Sequence, residues 1–162
     1  MYLCGQLVAY ATKRKIMVKV TEREIFDILS GKISGLINRT VLKAFTREGF
    51  DITTEQWTVL SCLWDKDKII QQMICEFTQK DKPSVTRLID NLEKKNLVRR
   101  ASDPKDRRNK IIHLTPRGVA LKQKTTEVVH NIVNHALEDI SDEELSVAKE
   151  VLLRIMQNLR KY

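Results

Sequence analysis

The sequence predicts a mainly α-helical fold carrying one small β-hairpin, and three observations predict it. Only five Gly and three Pro occur in 162 residues, too few for a turn-rich all-β sandwich. Apolar residues recur at steps of three and four along most of the chain, the period of an amphipathic helix. One short stretch, 97–114, instead sets β-formers on either side of a polar turn.

Residues 1–20 show no cap and no clear pattern and read as an N-terminal extension, with Met17 an alternative start. Thr21-Glu22-Arg23-Glu24 has the form of a capping box, in which Thr and Glu satisfy each other's orphan amides. Behind it Ile25, Leu29, Ile33, Leu36 and Ile37 form an apolar stripe widened by Ile28, Val41, Leu42 and Phe45. The spacing predicts one helix of roughly 25 residues ending near Gly49, a left-handed C-cap. So long a helix exceeds what a small core needs and implies packing against something extra.

Thr53 or Thr54 can cap a second helix bearing Trp57, Val59, Leu60, Leu63 and Trp64. A short third helix is expected from Ile69 onward, with Met73, Ile74 and Phe77. Asp81 then caps a fourth, with Pro83 in its first turn. Val85, Leu88, Ile89 and Leu92 make its buried face, while Ser84, Arg87, Asn91 and Lys94 make the other. Leu97 to Ser102 and Asn109 to Leu114 are expected strands, and the charged segment 103–108 is the turn between them. Thr115-Pro116 opens a further helix through Leu121, Val128, Val129, Ile132 and Ala136. Ser141 to Glu144 is a second capping box. In the helix it opens, Leu145, Ala148, Leu152, Ile155 and Leu159 trace the seam of a helix lying along a partner.

Charge narrows the function. The net charge is +8, and its distribution is uneven. Residues 78–124 hold 14 Lys and Arg against five Asp and Glu, a net +9; the remainder holds 15 against 16, a net −1. A basic block of this kind suits a polyanion, although a solvated surface also accounts for charge alone. Cys4, Cys62 and Cys75 are too few and too irregular for a disulfide framework or a zinc site. His130 and His135 fall on different helix faces and His113 lies in the hairpin, so no metal is expected. No nucleophile–base pair or Gly-rich phosphate loop appears, which argues against an enzyme, and no cofactor is expected. No run reaches the ~18 apolar residues of a membrane span. The positive cluster at 13–15 follows the apolar start rather than preceding it, unlike a secretory signal. A cytoplasmic protein is expected.

The order of elements is three helices, a helix with a polar outer face, a hairpin and two long helices. A helix-turn-helix lays its second helix in the major groove, where donors and acceptors distinguish all four base pairs. Ser84, Thr86, Arg87 and Asn91 are side chains that can bond base edges or phosphates, though the same residues also suit the wet face of any amphipathic helix. An Arg at the tip of the following hairpin, Arg107 or Arg108, can enter the narrow minor groove, where the potential is most negative.

The run Lys82-Pro83-Ser84-Val85-Thr86-Arg87-Leu88-Ile89-Asp90-Asn91-Leu92-Glu93-Lys94-Lys95-Asn96-Leu97-Val98-Arg99-Arg100, followed by Asp103-Pro104-Lys105-Asp106-Arg107-Arg108 and Leu114-Thr115-Pro116-Arg117-Gly118, resembles the multiple antibiotic resistance regulator (MarR) family. The resemblance is specific from Pro83 to Gly118 and architectural in the outer helices. It implies a winged helix-turn-helix regulator: an extension at 1–20, an N-terminal dimerisation helix at 21–50, the DNA-binding domain at 51–118 and C-terminal dimerisation helices at 119–162. It implies a homodimer on pseudo-palindromic double-stranded DNA, acting as a repressor released by an effector. Carried over, the DNA contacts are Lys82, Pro83, Ser84, Thr86, Arg87, Asn91, Lys94, Arg107, Arg108 and Lys110, with Asp106 holding the adjacent wing Arg by a salt bridge. Asn96 stands where relatives often have Gly, and Ile70, Ile74 and Cys75 depart from the usual third helix. The resemblance also implies a crevice for a small aromatic or phenolic effector beside Trp57 and Trp64, residues that equally read as plain core.

Two other classes compete. A winged helix can bind a protein instead of nucleic acid, and some relatives sense oxidants through a cysteine. Single-stranded RNA is disfavoured, because the basic segment holds no stacking Trp, Tyr or Phe after Phe77.

Overall fold

The structure is a computed structural model that describes residues 21–162 except Lys105, Arg107 and Arg108. The expected extension at 1–20, Met17 and Cys4 lie outside the described residues. Those described fall into two units, 21–34 and Gly35–Tyr162.

In the first unit, Thr21 caps helix α1 (Glu22–Asp27). Its Oγ1 accepts the Glu24 N–H at 3.2 Å, while the Glu24 carboxylate accepts the Thr21 N–H at 2.8 Å. The Thr21 N–H, joined by the Thr21 hydroxyl donating to the same carboxylate at 2.8 Å, holds the Glu24 carboxyl below its ordinary pKa. A π-helical stretch, Ile28–Lys32, follows and contains Gly31 at φ 122°. The expectation of one unbroken helix from Thr21 to Gly49 is therefore corrected. Ser30, Gly31, Ser34 and Gly35 are weak helix formers, and glycine alone readily takes the positive φ found here.

Helix α2 (Ile33–Arg47) buries Val41 and Phe45 and ends where the sequence places it. Gly49 is left-handed at φ 77°, with the Phe50 N–H on the Phe45 carbonyl at 2.8 Å and the Gly49 N–H on Thr46 at 3.1 Å. This double closure brings the Phe45 and Phe50 rings edge to face at 5.9 Å. Thr53, rather than Thr54, caps α3 (Thr54–Asp65) in a capping box with Gln56.

The third helix begins later than expected. Ile69 and Ile70 form a short strand, β1, and only then does α4 (Gln71–Thr78) start. Ile69 pairs with Ile112 and Ile70 with Ile111, so the isoleucines complete a sheet rather than a helix turn. Phe77, expected on the apolar side, points outward and is exposed. Helix α5 (Lys82–Lys94) precedes strands β2 (Val98–Ser102) and β3 (Lys110–Leu114). The expected hairpin is present, and β1 makes it a three-stranded antiparallel sheet of order β1-β3-β2. The mainly α fold with a small β element is thus borne out.

Thr115 caps α6 (Pro116–Ala120), which gives way at Leu121 to α7 (Lys122–Ala136), so the long helix after Thr115 comes in two pieces. Ser141 and Glu144 form the second capping box and open α8 (Asp142–Leu159). The core joins Phe45, Val59, Leu60, Leu63, Ile69, Ile74, Val85, Ile89, Leu92, Val98 and Ile112, all essentially inaccessible. It underlies α5 and the sheet. In contrast α8 buries none of its residues.

Candidate nucleic-acid interface

Helix α5 owes its position to local chemistry. Asp81 Oδ1 accepts the Ser84 N–H at 2.9 Å, and Pro83 occupies the first turn, where its missing N–H costs nothing. The Ser84 side chain and backbone both donate to Asp81 and hold its carboxyl below its ordinary pKa, with Arg87 and Lys80 adding to the effect. Val85, Ile89 and Leu92 are fully buried and seat the helix. At its C-terminus Asn96 is left-handed at φ 56°, with its N–H on Glu93 and the Leu97 N–H on Leu92, both at 2.9 Å. Asn tolerates this conformation, so the departure from Gly leaves the cap intact.

Before α5 stands α4, joined to it by Gln79, Lys80 and Asp81, with Gln79 left-handed at φ 53°. The pair has the connection of a helix-turn-helix. Gln71 Nε2 donates to Thr86 Oγ1 at 2.6 Å and ties the two helices together.

The residues named from the sequence fall as follows. Lys82, Pro83, Arg87 and Lys94 are exposed, and Ser84 and Asn91 are half-buried at the surface. Ser84, Arg87, Asn91 and Lys94 share one outward stripe. Thr86 is committed differently: its hydroxyl donates to the Lys82 carbonyl at 2.8 Å and accepts from Gln71. Lys110 is exposed on β3, and its Nζ donates to Ser102 Oγ at 3.2 Å across the hairpin. Lys82 and Lys110, remote in sequence, line one cleft of about 260 Å³ with Ile70, Gln71, Gln72 and Asn109. Two lysines lining one hollow give it a positive character that suits an anion.

The wing turn closes through the Asp103 N–H on the Asn109 carbonyl at 3.2 Å and the Asn109 N–H on the Asp106 carbonyl at 2.9 Å. Asp106 is exposed and accepts from Asn109 Nδ2 at 3.4 Å. Arg107 and Arg108 lie outside the described residues, and with them the expected salt bridge to Asp106.

Residues missed in the sequence complete the site. Arg100 on β2 bonds Asp90 and Glu93 of α5, each at 2.6 Å. Lys95 Nζ ties the end of α5 to Asp51, at 2.6 Å from its carbonyl and 2.9 Å from its Oδ1. In the sequence both register only as charge. The alternation of side chains along β2, which turns Arg99 out and Arg100 toward α5, is the signal that could have separated them.

Trp57 and Trp64 serve the fold. Trp57 Nε1 donates to Thr125 Oγ1 at 3.1 Å and Trp64 Nε1 to the Gly118 carbonyl at 3.0 Å, with the rings edge to face. The two cysteines among the described residues, Cys62 and Cys75, give little to a redox reading. Burial pushes the Cys62 thiol up, reinforced by Asp65, and burial also raises Cys75. Both changes disfavour the reactive thiolate. Among the described residues no three His, Cys, Asp or Glu gather around a metal-sized site, and no helix is long and apolar enough to cross a membrane.

Comparison with known proteins agrees with this geometry. The MarR family model matches residues 52–110. Over 78 residues the chain is 31% identical to the HTH-type transcriptional regulator YsmB of Bacillus subtilis, 48% of this chain and about half (53%) of YsmB. It is 29% identical to the HTH-type transcriptional regulator SarZ of Staphylococcus aureus over 127 residues, 77% of this chain and 80% of SarZ. Its fold is similar to that of S. aureus MepR solved in a complex with DNA, with TM-score 0.75 and 30% identity over 83% of this chain and 97% of MepR. These relatives are regulators and not enzymes. With its helix-turn-helix, its three-stranded wing sheet and these likenesses, the chain belongs to the MarR family of DNA-binding transcriptional regulators.

Proposed function

We propose that this protein is a homodimeric cytoplasmic repressor that reads a pseudo-palindromic duplex. In this reading α5 enters the major groove, the Arg107/Arg108 tip reaches the adjoining minor groove, and a small aromatic or phenolic effector releases the DNA. The observation that carries the reading is the division of α5 into two faces. One is sealed into the core by Val85, Ile89 and Leu92, and the other presents Ser84, Arg87, Asn91 and Lys94 outward. An Arg offers a forked donor pair to guanine and an Asn a matched pair to adenine, so this stripe can read base edges. Lys82, Lys94 and Lys110 supply phosphate contacts, which position the protein without selecting sequence. Thr86 supports the stripe from within.

The dimer is supported by α8. Leu145, Val151, Leu152, Leu153, Met156 and Leu159 are all at least 40% exposed on one helix, and exposed apolar side chains gathered on one element mark an interaction surface. A second copy laying the same helix alongside buries it, as two-fold contacts do. Repression and release by an effector rest on the family alone.

Selection of genomic fragments by the purified protein, with sedimentation at the same concentration, tests the reading. A dimer enriching an inverted repeat is expected, and phenolic acids should then reduce the bound fraction. A monomer, or a pool with no enriched duplex, overturns it.

A further inference from the structure

Arg100 reaches from β2 back onto α5 at several points. Its Nη2 lies 2.6 Å from Asp90 Oδ1, and its Nη1 lies 2.6 Å from Glu93 Oε2. Nη2 also donates to the Thr86 carbonyl at 3.3 Å, and the Arg100 backbone N–H donates to Glu93 Oε1 at 3.0 Å. The Arg100 side chain is only 22% exposed, so its guanidinium is turned inward rather than offered to a ligand.

The positions of its partners matter. Thr86, Asp90 and Glu93 form an i, i+4, i+7 stripe, displaced by one residue from the outward stripe of Arg87, Asn91 and Lys94. Arg100 thus grips the flank of the helix directly beside the face that meets DNA. Through its backbone it pairs with Ile112 of β3, the strand that returns from the wing turn. Asp90 and Glu93 would repel a phosphate backbone if left bare, and the guanidinium shared between them offsets one of their two charges.

We propose that Arg100 is a positioning residue that fixes the wing sheet against α5, so that helix and wing meet DNA as one rigid body. It sets the discrimination between sequences without touching the duplex. The proposal rests on α5 being the DNA-reading helix. Base readout needs side chains held to within roughly half an ångström, which a forked, planar cation bonded to two carboxylates supplies. A lysine in its place is a single point charge on a flexible stem and reproduces only part of the grip.

The test uses the full-length protein and the variants Arg100→Ala, Arg100→Lys and the double variant Asp90→Asn/Glu93→Gln. Affinities are measured over a salt series for a duplex selected by the wild type and for an unrelated duplex of equal length. Amide hydrogen exchange without DNA is followed in parallel. For Arg100→Ala the ratio of the two affinities should fall about tenfold or more, as for loss of a base contact, with the salt slope unchanged. Exchange across β2 and β3 should rise while the amides of α3 stay protected. The double variant should follow Arg100→Ala, and Arg100→Lys should recover part of the ratio.

Equal losses on both duplexes, with the salt slope reduced by about one, would mean that Arg100 touches phosphate itself and would overturn the proposal. So would an unchanged ratio in every variant that folds, including the lysine and double variants if the alanine does not fold. A wild type that discriminates between no duplexes overturns the DNA reading itself and takes this role of Arg100 with it. In that case exchange still reports whether the grip on the sheet exists.

Discussion

Gln71 and Thr86 join the two helices of the helix-turn-helix through one 2.6 Å bond, from the Gln71 amide to the Thr86 hydroxyl. The same hydroxyl donates to the Lys82 carbonyl one turn earlier. The Thr86 hydrogen and one of its lone pairs are thereby engaged within the protein, next to residues that face outward. Thr86→Val keeps the shape and removes both bonds, so a loss of about 1 kcal/mol in chemical denaturation is expected. Gln71→Leu should lose a similar amount, and the double variant less than the sum, because the two share one bond. Full additivity would separate them.

Arg87 is an exposed member of the α5 stripe, and in the proposed reading its forked guanidinium meets a guanine edge. Arg87→Ala should weaken binding to a selected duplex by about 1–3 kcal/mol and relax the preference at one base pair of each half-site. Fluorescence anisotropy with single-base variants of the duplex checks this. A uniform loss at all sequences would make Arg87 a phosphate contact instead.

Gly118 sits in α6 against the backbone of Leu97, in the link between α5 and β2. A β-carbon there would collide with the Leu97 carbonyl oxygen and press on the Leu114 side chain at 3.2 Å. The obstacle is backbone, which cannot swing away, and Leu97 also accepts the Thr115 N–H at 3.1 Å. Gly118→Ala should therefore cost about 1–3 kcal/mol, seen as a lower Tm in calorimetry. An unchanged Tm would mean that α6 moves freely.

Asp81 links pH to the seating of α5. Its carboxyl is held below the ordinary value by the Ser84 hydroxyl and N–H, so it is stabilising when ionised. The contribution is complete above the ordinary carboxylate range and disappears as pH falls through the lowered pKa. Asp81→Asn keeps a capping oxygen without a titrating charge. Its Tm should lie below the wild type near neutrality, and the gap should close in acid. A gap that stays constant from neutral to acidic pH contradicts the assignment.

What the sequence made legible was local. The caps at Thr21, Asp81, Thr115 and Ser141 depend on residues within three positions, and each stands where its motif lies. The two faces of α5 follow from a period that nearby residues define. The features that escaped depend on distant partners. Ile69 and Ile70 are a strand because Ile111 and Ile112 lie beside them, some forty residues on. Arg100 meets Asp90 and Glu93 only because a left-handed Asn96 folds β2 back along α5. The break at Gly31 is masked in the sequence by the apolar stripe, which continues through it.

Protection of guanine N7 from methylation, mapped on a duplex selected by the protein, tests the central claim most directly, because N7 is open only in the major groove. Two recognition helices related by a two-fold axis should protect two clusters about 10 base pairs apart on one face of the duplex. Protection of a single cluster, or none at saturating protein, would contradict a symmetric pair of α5 helices in successive major grooves.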